Sequence, residues 1–175
     1  MLRRAIFLDR DGVLNTAIIR KGKPYPPTSL DELQIPEDAL AAMSALKSAG
    51  FLLIGATNQP DVARGVTPRA WVEAIHSHLM SCLPLDEIRV CYHDDSDACY
   101  CRKPAPGLLM DAAKDYAIDL KKSFMVGDRW KDVEAGFRAG CQTIWINKNY
   151  SEKTPERTPD FITTHLKGAA EWILQ

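Results

Sequence analysis

No stretch of this 175-residue chain approaches the ~20 apolar residues of a membrane span. Its amino-terminal apolar run stops at Asp9, short of the ~7–15 residues of a signal-peptide core, although Arg3 and Arg4 precede it. Neither sign of charge is in excess. The 22 Lys and Arg against 23 Asp and Glu leave a formal net charge of -1, which gives no general attraction to nucleic acid or an anionic membrane. Internal repeats and low-complexity segments are absent. The five cysteines are an odd number, and Cys91, Cys99 and Cys101 crowd together, which argues against a disulfide framework and for a metal site in a reducing compartment. The expectation is a cytoplasmic, monomeric globular protein, one domain over residues 1–175, with no nucleic-acid or membrane partner.

What is present is organised around Ala5 to Asn15. Ala5 to Leu8 is a short continuous apolar run, the pattern of a strand covered on both faces of a parallel sheet. Asp9 and Asp11 fall at its carboxyl end, where open α/β sheets bind ligands. Positions two apart in extended chain point the same way, and Gly12 lets the backbone turn beneath them. Two carboxylates that close need a cation between them or a shared proton.

Thr16 to Ile35, with Gly22, Pro24, Pro26 and Pro27, resists helix and reads as a flap beside the site. Pro36-Glu37-Asp38 opens a helix with Leu40, Met43 and Leu46 on its core face, ended by Gly50. Phe51 to Ala56 is a strand delivering Thr57-Asn58-Gln59 to the same edge as Asp9. Thr67-Pro68 starts a helix whose core face carries Trp71, Ile75 and Leu79, with His76 and His78 as surface or packing residues. Ile88 to Cys91, Phe124 to Val126, Thr143 to Ile146 and Phe161 to Thr163 complete the strands. Helices are expected after Pro106, from Asp132 to Ala139, and from Leu166 to Leu174. Strands alternating with helices at this spacing predict an α/β fold, a Rossmann-like three-layer α/β/α arrangement around a mainly parallel sheet.

Cys91-x-His93 and Cys99-x-Cys101 supply three thiolates and an imidazole within one polar loop, the ligand set of a closed, structural Zn²⁺ site. Cys82 and Cys141 read as core residues.

Four strand-end motifs, Asp9-x-Asp11-Gly12, Thr57-Asn58, Lys103-Pro104 and Gly127-Asp128-x-x-x-Asp132, occur in the order found in the haloacid dehalogenase superfamily, which the chain resembles over most of its length. Phe7-Leu8-Asp9-Arg10-Asp11-Gly12, Ala63-Arg64-Gly65 and Cys101-Arg102-Lys103-Pro104 are similar to the branch holding the heptose bisphosphate and histidinol-phosphate phosphatases. The resemblance implies phosphomonoester hydrolysis through an aspartyl-phosphate. Asp9 would be the nucleophile and Asp11 the general acid and base. Mg²⁺ would be held by Asp9, the Asp11 carbonyl and Asp128, with Asp132 orienting those ligands. Thr57, the Asn58 N–H and Lys103 would hold the phosphoryl group. No insertion is long enough for the large cap of many relatives, so the cap is minimal and small loops shape the pocket. Arg64, Arg102 and Arg129 are candidates for a second anionic group on a small phosphorylated sugar. The favoured substrate is D-glycero-D-manno-heptose 1,7-bisphosphate, losing its C7 phosphate on a route to lipopolysaccharide or surface glycan. Histidinol phosphate or a general sugar phosphate is the alternative, because Pro60-Asp61 stands where the heptose enzymes usually carry Ser-Gly. A nucleic-acid 3′-phosphatase and a non-catalytic zinc-stabilised module are the remaining readings.

Overall fold

The computed structural model describes residues 2–175. The chain runs β1 (Ala5–Leu8), β2 (Ile18–Arg20), β3 (Lys23–Tyr25), α1 (Ala39–Ser48), β4 (Leu52–Asn58), α2 (Arg69–Cys82), β5 (Glu87–Cys91), α3 (Gly107–Tyr116), β6 (Phe124–Gly127), α4 (Trp130–Ala139), β7 (Gln142–Ile146), β8 (Phe161–Thr163) and α5 (Leu166–Ile173). Six strands form one parallel sheet in the order β5-β4-β1-β6-β7-β8. β1 sits between β4 and β6 with all four residues buried, which is why it reads as a continuous apolar run rather than an alternating one. Its side chains still alternate between faces. Ile6 and Leu8 join Met43 and Leu46 of α1, Ile75 and Leu79 of α2, and Ala169 and Ala170 of α5, while Ala5 and Phe7 join Leu108, Leu109 and Ala112 of α3 on the other side. The three-layer arrangement is as expected. Among the described residues, no helix is long and apolar enough to cross a membrane.

Two helix faces differ from the expectation. In α1 the buried set is Ala39, Ala42, Met43 and Leu46, and Leu40 is 54% exposed. In α2 it is Val72, Ile75, His76 and Leu79, and Trp71 is 52% exposed. Both buried sets follow i, i+3, i+4, i+7, and Leu40 and Trp71 each lie one residue, about 100°, off the stripe. Cys82, at the last turn of α2, is also exposed rather than in the core, whereas Cys141 is buried. Asp38 precedes α1 but makes no side-chain cap there; its carboxylate accepts from the Lys167 N–H at the start of α5, 2.8 Å away. α4 begins at Trp130, two residues before the expected start, because Asp132 is its third residue and reaches back to the Arg129 N–H rather than capping the helix itself.

The flap is a hairpin of β2 and β3. Lys21 and Gly22 both have positive φ, 51° and 74°, as a two-residue type I′ turn requires. The Gly22 carbonyl accepts from the Ser151 N–H at 2.8 Å, so the hairpin tip is fastened to the polar loop after β7.

The corrected faces predict unequal costs. Leu79→Ala should lose about 2–5 kcal/mol, whereas Leu40→Ala and Trp71→Ala should each stay within roughly 1 kcal/mol. Urea denaturation of the three variants checks this, and comparable losses at all three positions would contradict the assignment.

Candidate functional site

Parallel pairing of β4, β1 and β6 brings their carboxyl ends to one edge, so Thr57 and Asn58, Asp9 and Asp11, and Asp128 come together from residues far apart in sequence. A cavity of about 360 Å³ opens there, lined by Asp9, Asp11, Thr57, Asn58, Lys103 and Asp132 at its floor. Gly12 has φ +93°, and a Cβ on it would lie 1.8 Å from Asp128 Oδ2, so the turn after Asp11 is open only to glycine.

Lys103 is almost fully buried between two carboxylates, its Nζ 2.9 Å from Asp9 Oδ1 and 2.6 Å from Asp132 Oδ1. Its backbone is fixed by the Asn58 side chain, which donates to the Lys103 carbonyl at 2.9 Å and accepts from the Lys103 N–H at 3.0 Å. The Asn58 amide is thereby spent on the lysine loop. Asp11 accepts on Oδ1 from Arg10 Nε and Nη2, at 3.1 and 2.9 Å, and from Asn15 Nδ2 at 3.1 Å. Gln59 Nε2 donates to Asp11 Oδ2 at 2.8 Å and to Thr57 Oγ1 at 2.9 Å.

Burial, followed by the neighbouring Asp132 charge, pushes Asp9 up to about 6 against the pull of Lys103. Asp128 is raised well above the ordinary carboxylate range, by burial first and then by Asp9 and Asp132. Burial works against the Lys103 charge, but Asp132 and Asp9 outweigh it and hold the ammonium above its usual range. Asp128 Oδ2 accepts from the Tyr150 hydroxyl at 2.7 Å, while its buried Oδ1 has no partner among the described residues. One ligand oxygen each from Asp9, Asp128 and Asp132 lies within 4.8 Å of the others. An orphaned carboxylate oxygen in a crowded acidic cluster is what a hard cation such as Mg²⁺ would satisfy. Both Asp132 oxygens already accept, one from Lys103 and the other from the Arg129 N–H at 3.0 Å, which fits a residue that holds the ligands in place.

Cys91, His93, Cys99 and Cys101 form a second cluster with ligand atoms within 4.8 Å of one another. The sulfurs are 3.1–3.6 Å apart, and His93 Nδ1 is 3.5 Å from Cys91 Sγ and 3.4 Å from Cys101 Sγ. A tetrahedral zinc with Zn–S near 2.3 Å sets its sulfurs about 3.8 Å apart, so these residues fit the ion with a small expansion. The loop is braced by Arg102, which donates to Asp95 Oδ1 at 2.8 Å and to the His93 carbonyl at 3.3 Å.

Of the candidate arginines, Arg64 and Arg129 line the cavity and Arg102 does not. Arg64 is held by Asp94 at 2.5 Å and Asp61 at 3.2 Å, and Arg129 by Glu152 at 2.6 Å. Lys23 and Tyr25 of the flap, Gln59 and Lys131 also line the cavity, and no role was expected of any of them from the sequence. Gln59 was legible in principle, since it lies two residues beyond Thr57 and shares its side of the extended chain.

The HAD-hydrolase-like family model matches residues 100–169. The D-glycero-beta-D-manno-heptose-1,7-bisphosphate 7-phosphatase of Bordetella bronchiseptica is 34% identical, over 98% of this chain and 98% of its own. The protein of that name from Escherichia coli K12 is also 34% identical, over 97% of this chain and 87% of its own. The crystal structure of D,D-heptose 1,7-bisphosphate phosphatase from B. bronchiseptica, complexed with magnesium and phosphate, superposes with a TM-score of 0.81 over 98% of both chains at 33% identity. A likeness of this degree, running nearly end to end on both sides, settles the descent of the chain: it belongs to the haloacid dehalogenase-like hydrolases, among their phosphatases.

Proposed function

We propose that the chain is a single-domain, Mg²⁺-dependent phosphomonoesterase that removes the C7 phosphate of D-glycero-D-manno-heptose 1,7-bisphosphate. The observation that carries the chemistry is Asp9 at the end of β1, bonded to Lys103 and beside the unpartnered oxygen of Asp128, with Asp11 two residues on. The names of the relatives that span the chain supply the substrate.

Asp9 attacks phosphorus and forms the aspartyl-phosphate. Asp11 gives its proton to the departing sugar oxygen and then takes one from the attacking water. Thr57 Oγ1 and the Asn58 backbone N–H donate to the phosphoryl oxygens, and Lys103 offsets their charge. Asp9, the Asp11 carbonyl and Asp128 hold the Mg²⁺, which when bound screens the carboxylates and polarises the phosphoryl group. Cys91, His93, Cys99 and Cys101 hold a structural Zn²⁺ that fixes the chain leading into Lys103. The distal phosphate needs charge at the mouth. Arg64 and Arg129 are engaged by carboxylates, whereas Lys131 has only Asp95 at 3.6 Å and Lys23 pairs with no carboxylate among the described residues. We assign the distal anion to these lysines first, with Arg64 and Arg129 as partners that must loosen their ion pairs, and Arg102 as the brace of the zinc loop. The enzyme works as a cytoplasmic monomer on a small sugar phosphate. Pro60 and Asp61 line the cavity, so the departure from the heptose pattern falls where the sugar would lie and keeps a broader sugar-phosphate or histidinol-phosphate specificity as the second reading.

Asp9→Asn should fold normally and release no measurable phosphate, because the amide keeps the shape but is no nucleophile; a freshly purified variant, checked by mass for deamidation, that turned over at the parent rate would end the aspartyl-phosphate mechanism. Mild chelation should remove Mg²⁺ and activity together, both restored by added Mg²⁺, while metal analysis still finds one zinc per chain. Because burial pushes Asp9 up to about 6 and raises Asp128 as well, protons compete with the cation: the apparent Mg²⁺ dissociation constant should rise about tenfold or more per pH unit on going down from pH 6. Titration calorimetry measures this, and affinity independent of pH between 5 and 8 would refute it. Lys131→Ala should lower kcat/KM for the 1,7-bisphosphate by about 10-fold or more, and for the 7-monophosphate by less than about twofold, as loss of one charge-assisted contact implies. Equal losses on the two sugars would remove Lys131 from the distal site.

A further inference from the structure

Arg10 heads the fully buried side chains by size, and the chemistry above makes no use of it. Its position between Asp9 and Asp11 invites a purely electrostatic account, but its bonds are more specific than that. Nε and Nη2 both reach Asp11 Oδ1, at 3.1 and 2.9 Å, and Nη1 lies 3.2 Å from His76 Nε2. A guanidinium has no lone pair to offer, so the imidazole must be the acceptor. Burial, with Arg10 adding to it, lowers the His76 pKa to about 4, which leaves the ring neutral and its Nε2 lone pair available near neutral pH. His76 occupies a place in the core stripe of α2 beside Val72, Ile75 and Leu79 where an apolar side chain would pack as well. A polar ring there, aimed at a buried guanidinium, ties α2 to the loop after β1.

We propose that His76 is a positioning residue for the proton transfers of Asp11, acting through Arg10; this rests on the phosphatase reading of the site. By accepting from Nη1, His76 fixes the rotation of the guanidinium, so that Nε and Nη2 fork a single Asp11 oxygen. Oδ2, which accepts from Gln59 alone, is left as the oxygen that exchanges protons. In the first step the Asp11 O–H bond breaks and its proton goes to the sugar oxygen as the phosphorus–oxygen bond to the sugar breaks and the Asp9 bond to phosphorus forms. In the second, the attacking water gives a proton back to the same Asp11 oxygen as its own oxygen bonds to phosphorus and the Asp9–phosphorus bond breaks, releasing phosphate and the Asp9 carboxylate. Without the His76 acceptor the guanidinium can turn, and the carboxyl turns with it.

The test depends on the leaving group. A sugar alkoxide must be protonated as it leaves and a nitrophenolate need not be, so a mispositioned acid harms only the first, whereas a general loss of structure harms both. The quantity compared is kcat/KM, which covers steps only up to loss of the leaving group and therefore excludes the later hydrolysis in which Asp11 also acts. Heptose 7-phosphate and p-nitrophenyl phosphate are each given to the parent protein, His76→Leu, His76→Gln and Arg10→Lys. His76→Leu should lose about 10- to 100-fold on the sugar phosphate and less than about threefold on the aryl ester. His76→Gln, whose amide oxygen can accept from Arg10, should recover most of the loss. Arg10→Lys, which keeps the charge without the fork, should show the same selective loss and carries the comparison should His76→Leu fail to fold. Equal losses on the two esters, no loss on either, or no recovery in His76→Gln would overturn the inference while leaving the phosphatase assignment intact. A parent protein that releases phosphate from neither ester would instead overturn that assignment, and the inference with it.

Discussion

Crowding of like charge at the carboxyl edge of β1 and β6 is the constraint on which the rest of the structure turns. Asp9, Asp128 and Asp132 are buried and Asp11 half-buried, against two buried cations, Lys103 and Arg10. With all four carboxylates ionised, two negative charges are left over, the charge of one divalent cation. Two carboxylates 4 Å apart at an effective dielectric constant of 20 repel by about 4 kcal/mol, a large share of a small domain's stability. The cluster therefore cannot be explained as a device for folding. Burial and mutual repulsion raise Asp9 and Asp128, and one Asp128 oxygen lacks a partner among the described residues, a pattern that an added divalent cation would relieve.

Holding such a cluster demands a rigid frame, and each part of it is supported from a different direction. The central strands place the carboxylates, Gly12 admits Asp128 at a distance no side chain would allow, and Asn58 grips the Lys103 backbone with a reciprocal pair of hydrogen bonds. The cysteine cluster adds a restraint along the chain, since Cys101 lies two residues before Lys103. An ammonium buried between Asp9 and Asp132 tolerates little displacement, because a shift of an ångström would leave one carboxylate unpaired in a medium of low dielectric constant.

Much of this was legible in the sequence because the features that carried it are local. An apolar run ending on Asp-x-Asp-Gly, another ending on Thr-Asn, and three cysteines and a histidine spaced through one polar loop each point to their own geometry before any tertiary contact is known. Helix faces were less legible. A ladder of Trp71, Ile75 and Leu79 drifts around the helix, and only the burial of Val72 and His76 shows which side of that drift faces inward. The residues proposed to tune the site were hidden for another reason. Lys23, Lys131, Arg10 and His76 are types that every soluble surface uses freely, and their meaning depends on which carboxylates are already taken. Arg64 and Arg129 look equally good in the sequence, yet both are held by acids.

The pocket is walled by loops and a small flap rather than by a large cap. A flap of two three-residue strands has little core of its own and is ordered by what it touches, here the bond from Ser151 to the Gly22 carbonyl. That single fastening joins the flap to the loop that also supplies Tyr150 to Asp128 and Glu152 to Arg129. Any change in the charge of Asp128, as on gaining a cation, is therefore felt by Tyr150, whose hydroxyl is raised above its usual range by burial and by that carboxylate. Ser151, the one residue between Tyr150 and Glu152, is itself the residue bonded to the flap tip. Three successive residues, Tyr150, Ser151 and Glu152, thus hold Asp128, the flap tip and Arg129, so the walls of the pocket are set by loop sequence rather than by a separate domain.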